Sequence, residues 1–93
     1  GQEILTRDKV ALRLNLSATW RYTDVLKAFK ELAKPAEHLY RELQFGLRAA
    51  VGTRSLDELL ENKTVIDEVV TAQVTAKLAG YGLQLDGVGV KDI

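Results

Sequence analysis

Residues 10–22 read VALRLNLSATWRY, from Val10 to Tyr22. Val10, Leu12, Leu14, Leu16, Ala18, Trp20 and Tyr22 alternate with the largely polar Ala11, Arg13, Asn15, Ser17, Thr19 and Arg21. A period of two belongs to a strand with one face in a core and the other in water. Slipping its pairing by one residue would move the whole apolar set into water, so its register is strongly specified. On the N-terminal side, Gln2 to Thr6 is a shorter extended piece, and Arg7-Asp8-Lys9 is the turn that joins the two as a hairpin.

After Tyr22 the period changes. Val25, Ala28, Phe29 and Leu32 fall at i, i+3, i+4 and i+7, and Asp24 stands where it can cap the first turn of a helix. Pro35 interrupts that helix but suits the first turn of the next. Leu39, Leu43, Leu47 and Ala50 form the apolar stripe of this second helix, with Gly52 expected to end it. Ser55-Leu56-Asp57-Glu58 has the spacing of a capping box, in which Ser55 accepts from a free amide and Glu58 reaches back, so a short helix starts there.

Thr64 to Tyr81 is rich in β-branched residues, which lower helix propensity. Its apolar residues nevertheless recur at helical spacing: Val65 and Ile66, Val69 and Val70, then Val74, Leu78 and Tyr81. A helix of such composition depends on packing, so its valine face is expected on the sheet, with Gly80 or Gly82 at its end. Leu83 to Ile93 is a final strand with a fault in phase, since Leu83 and Leu85 have one parity and Val88 and Val90 the other. Asp86-Gly87 as a hairpin turn would leave a first arm of three residues, whereas a β-bulge at Gly87 restores the phase with one extra residue. The expected architecture is α+β: a small, mainly antiparallel sheet, made of the hairpin plus the C-terminal strand, with about four helices packed on one face.

A chain of 93 residues makes one small domain. Its 13 basic and 13 acidic residues cancel, which argues against a nucleic-acid partner or a purely electrostatic hold on anionic lipid. Without cysteine it has no thiolate metal site, catalytic thiol or S-acylation point. No apolar run approaches the roughly 18 residues of a membrane span, so this segment is expected to be soluble. It begins at Gly1 on the edge of one extended pattern and stops at Ile93 inside another, as an excised domain would.

Candidate chemistry is sparse. His38 is the lone histidine and lacks the partner ligands or nucleophile that zinc or triad chemistry needs. Asp57, Glu58, Asp67 and Glu68 sit in first helical turns, where acidic residues complement the helix dipole, and Glu61 lies near them, with Arg54 and Lys63 at hand. The glycines at 80, 82, 87 and 89 precede a strand rather than opening a helix, so they form no phosphate loop. No catalytic, cofactor-binding or metal-binding residue is expected. Trp20 and Tyr22 share the apolar parity of the long strand and read as core. Phe45 points roughly opposite the stripe of its helix, either covered by a neighbouring helix or exposed as an interface.

Three stretches, DKVALRLNLSATWRYTD (8–24), HLYRELQFGLRAAVGTRSLDELLENK (38–63) and YGLQLDGVGVKDI (81–93), together make the chain resemble the stomatin/prohibitin family. This is the band 7 or SPFH domain, and the likeness is to its prokaryotic slipin-like branch. Family members commonly carry Asp-Pro after the long strand, whereas here Asp24 is followed by Val25. The resemblance implies a single SPFH domain over 1–93, cut from a protein with a membrane anchor before it and a coiled coil after it. It also implies a non-enzymatic, self-associating scaffold on the cytoplasmic face of a membrane. Such a scaffold would reach lipid through segments outside these residues, and would organise microdomains and regulate membrane proteins such as a membrane-bound serine protease. The rival is a peptide- or lipid-binding module using a sheet edge or a groove between helices.

Overall fold

In the computed structural model, which describes residues 2–92, the alternating segment is a strand of 12 residues, β2 (Ala11–Tyr22). It lies between β1 (Gln2–Leu5) and β3 (Leu83–Asp92), antiparallel to both. Every odd-numbered residue of β2 is exposed, and every even-numbered one is buried or half-buried. The turn to β1 is closed by Thr6 N–H to the Val10 carbonyl (2.9 Å) and Lys9 N–H to the Thr6 carbonyl (3.0 Å), with Lys9 at φ 69°. The outer face of the sheet is polar, crossed by exposed pairs such as Arg21 with Asp86 (3.6 Å), which contribute little to stability.

The phase fault in β3 is resolved as expected, by one extra residue. Thr19 pairs with Gly87 and Trp20 with Leu85, which leaves Asp86, the residue before Gly87, without a counterpart. Leu83, Leu85, Val88 and Val90 consequently all oppose even-numbered residues of β2 and share the core face. The expected strand end at Ile93, like Gly1, lies outside the described residues.

Among the described residues there are four helices: α1 (Val25–Glu31), α2 (Pro35–Gly52), α3 (Leu56–Glu61) and α4 (Val65–Leu78). Pro35 occupies the first turn of α2, and Leu39, Leu43, Leu47 and Ala50 are all buried. Gly52 is its last residue, but Gly52 does not take the left-handed conformation; the end is held by Thr53 Oγ1 donating to the Ala49 carbonyl (2.7 Å) and by Arg54 donating to that of Ala50 (3.0 Å). The capping box forms as expected, with Glu58 N–H donating to Ser55 Oγ (3.2 Å) and Ser55 N–H to Glu58 Oε1 (3.3 Å). Asp24 caps α1 by accepting from Lys27 N–H (3.0 Å). The expected stripe of α1, however, does not pack: Ala28 is buried, but Val25 and Phe29 are 54% and 56% exposed. A helix of 7 residues that makes little contact with the other elements has no second layer to bury them; Phe29 instead stacks on Tyr22, centroids 5.8 Å apart.

The β-branched segment is a helix, as its period demanded. Ile66, Val70, Val74 and Leu78 form one buried row, and α4 packs on both α2 and β3. Gly46 marks the close approach of α2: a Cβ there would stand 3.6 Å from methyl groups of both Val70 and Val74. After α4 the chain turns through Gly80 (φ 85°) and Gly82 (φ 73°). Gly82 admits no side chain, since a Cβ would meet the Asp24 carbonyl oxygen at 2.3 Å. Its own carbonyl accepts from Thr23 N–H (2.8 Å) and Asp24 N–H (3.2 Å), joining the end of β2 to the start of β3.

At the other end, the hairpin tip is fastened to the α2–α3 corner. Arg7 N–H donates to the Arg54 carbonyl (2.8 Å), the Arg7 guanidinium pairs with Glu58, and Asp8 accepts from Leu56 N–H (3.2 Å) and from the Thr6 hydroxyl. The Thr6 hydroxyl bond, aided by the Leu56 amide, holds the Asp8 carboxyl below its usual range, and the Ser55 backbone N–H does the same for Glu58.

Two expectations follow from packing. Val70→Asp places a charge at a fully buried position and should cost about 4 kcal/mol or more; Val69→Asp, at a half-buried site, should cost less, and Glu68→Ala less than about 1 kcal/mol. Gly82→Ala should cost at least about 2 kcal/mol through strain and overlap. Urea unfolding followed by circular dichroism measures all four. A third expectation concerns pH: both carboxyls are depressed in the folded state, so their stabilisation is present above the unfolded carboxylate pKa and lost as pH falls through the folded values. Thermal stability should therefore drop on acidification below the normal carboxylate range, and the Asp8→Asn, Glu58→Gln double variant should show a flatter profile.

Candidate functional site

Because Leu39, Leu43, Leu47 and Ala50 turn one side of α2 to the core, its remaining surface carries Glu37, Arg41, Phe45 and Arg48 on the outer side and Tyr40 and Gln44 on the flank nearer the sheet. These residues line a shallow concave surface of ≈ 680 Å³. Phe45 is 54% exposed and Tyr40 63%, so no neighbouring helix covers Phe45. Two arginines and one glutamate among the exposed residues of this surface give it a positive bias. An aromatic pair flanked by guanidinium groups binds by burial and cation–π or ion-pair contacts. Sequence reasoning did not single out Tyr40; the signal that could have done so is its place one turn before Gln44, at i and i+4.

The other candidates are placed as follows. His38, half-buried on α2, has its ring 5.8 Å from that of Tyr81. Glu58 is engaged by its cap and by Arg7, and Glu68 accepts from the Thr64 hydroxyl (2.9 Å). Among the described residues, no three His, Asp or Glu side chains gather where they could hold a metal ion. Trp20 and Tyr22 meet edge to face, centroids 5.1 Å apart, and both are half-buried on the core face. No helix among the described residues is long and apolar enough to cross a membrane.

A long central strand, a capped helical corner and a bulged closing strand follow one another along the chain. The model of the SPFH domain / Band 7 family matches residues 1–93. The chain belongs to that family. It is 27% identical over 92 residues to an uncharacterized protein of Methanocaldococcus jannaschii, covering 99% of this chain and 46% of that protein. It is 26% identical over 92 residues to a stomatin homolog of Pyrococcus horikoshii (99% and 35%), and 28% identical over 92 residues to Stomatin-3 of Caenorhabditis elegans (99% and 34%). The chain thus spans less than half the length of these curated relatives. Two of these relatives are a stomatin homolog and a stomatin by name, so the SPFH domain described here is of the kind that stomatin-like proteins carry.

The exposure of Phe45 makes its removal harmless to this SPFH domain's fold. Phe45→Glu should shift the unfolding free energy by less than about 1 kcal/mol, measured by urea titration. A loss as large as that expected for Val70→Asp would place the ring in the core.

Proposed function

We propose that this domain is the assembly module of a membrane-associated, stomatin-like scaffold, and that neighbouring copies meet through the outer side of α2 with Phe45 at the contact. The observation that carries the reading is the exposed Phe45 and Tyr40 pair on a helix whose other side is fully committed to the core, in a domain matched end to end by the SPFH family. The finer parts of the proposal follow the resemblance: an anchor and a coiled coil outside these residues, attachment to the cytoplasmic face, organisation of microdomains, and regulation of membrane proteins such as a membrane-bound serine protease. Weak contacts between single domains become effective once tethering raises their local concentration. The isolated chain should accordingly sediment mainly as a monomer at micromolar concentration.

A second reading, a peptide- or lipid-binding module, draws support from the openings between α2 and the sheet. Binding of that kind would saturate on the isolated monomer, whereas scaffold contacts require tethering.

The test is cross-linking of the full-length protein in membranes. Phe45→Glu opposes burial at the contact and should lower the cross-linked fraction severalfold while the isolated domain keeps its thermal stability. Unchanged cross-linking with an intact fold would remove this side of α2 from the assembly.

A further inference from the structure

Two exposed rows of this chain repeat one pattern with opposite charge. On the outer side of α2, Arg41, Phe45 and Arg48 follow at i, i+4 and i+7, which puts them on one line of the helix surface. All three are exposed, Phe45 by 54%. On α3, Leu59 is buried and Glu58 is held by Arg7 and by the Ser55 amide, which leaves Asp57, Leu60 and Glu61 as the outward side. These three are exposed as well, Leu60 by 57%. One row is an aromatic ring between two guanidinium groups; the other is a leucine beside two carboxylates.

Neither row is neutralised within the chain. Among the described residues, ion pairs join Arg7 to Glu58, Arg13 to Glu3, Arg21 to Asp86 and Lys34 to Glu37, so Arg41, Arg48, Asp57 and Glu61 all stand outside them. The cations expected beside α3 do not fill the gap: Arg54 donates to the Ala50 carbonyl and to the Thr53 hydroxyl, and Lys63 joins none of these pairs. Helix capping accounts for Asp57, in the first turn of α3. It does not account for Glu61, the last residue of that helix, where the dipole disfavours a carboxylate. A chain whose 13 basic and 13 acidic residues cancel thus presents one unpaired row of each sign, each with an exposed apolar side chain in it.

We propose that the two rows are the halves of one contact between copies: the Arg41–Phe45–Arg48 row on α2 of one copy receives the Asp57–Leu60–Glu61 row on α3 of the next. Leu60 packs on the Phe45 ring, and the carboxylates meet the guanidinium groups. The inference rests on the proposal that copies meet through the outer side of α2, and it names what that side binds. Charge selects the occupant. A second α2 row would bring four guanidinium groups together, and like charges at a contact oppose it, whereas the α3 row neutralises them. Spacing agrees, because Arg41 and Arg48 stand about 10 Å apart along α2 and Asp57 and Glu61 about 6 Å apart along α3, a difference that side chains as long as arginine and glutamate span. Arginine also offers each carboxylate a planar fork of donors, which fixes geometry as well as charge.

The experiment is charge reversal read by cross-linking of the full-length protein in membranes, with limited proteolysis of the same membranes to check the fold. Three variants are compared: Arg41→Glu with Arg48→Glu, Asp57→Lys with Glu61→Lys, and all four substitutions together. Each double variant should lower the cross-linked fraction severalfold, and the fourfold variant should restore it to within about twofold of the parent. Where a reversal loosens the fold, the size-matched Asp57→Asn with Glu61→Gln takes its place and should also lower cross-linking. A folded fourfold variant that stays as low as the doubles overturns the pairing, as does a folded α3 variant, reversed or neutral, that assembles like the parent. Phe45→Glu separates the two proposals: if it lowers cross-linking while the α3 variants do not, the α2 surface stands and the partner named here falls. If Phe45→Glu has no effect, the assembly surface falls and this pairing with it.

Discussion

The β2–β3 ladder is the interaction on which the rest of the domain depends. It joins strands separated by all four helices, so it forms only when the whole helical segment has been laid across one face. Its register is dictated by which side chains reach that face: even-numbered residues of β2 must oppose Leu83, Leu85, Val88 and Val90, and those four agree in side only because Asp86 is left without a partner. The unpaired residue is thus what allows one continuous apolar surface beneath α2 and α4. Gly82 fixes the same ladder from its other end, because the Asp24 carbonyl occupies the space any side chain would need.

Given that surface, the helices divide the work unequally. α2 and α4 cover the sheet and meet each other at Gly46, where the missing side chain lets the valine row of α4 approach. This contact compensates for the poor intrinsic propensity of a helix rich in valine and threonine. α3 serves mainly as a capped corner to which the hairpin tip is bound through Arg7, Asp8 and Glu58. α1 lies apart, and except for Ala28 its apolar residues Val25, Leu26 and Phe29 remain largely exposed. The same division explains why Phe45 and Tyr40 are exposed: with α4 to one side of α2 and the sheet beneath, no element among the described residues covers them.

Local pattern alone determined the one-sided strand, the two long helices, the Asp24 cap, the capping box at Ser55 and the need for a bulge near Gly87. Each is a short-range matter: a period of two or 3.6, or an oxygen placed three residues from a free amide, is written directly in consecutive residues. The stripe of α1 could not be settled that way, because Val25 and Phe29 have the right spacing but no partner layer, and spacing says nothing about what stands opposite. Nor could Phe45, whose two readings differed only in whether another helix lay over it. The exact burial of Val69 against Val70 and the closeness of Gly82 to Asp24 were decided by tertiary structure alone. They depend on distances between residues far apart in the chain, and those distances exist only once the ladder has closed.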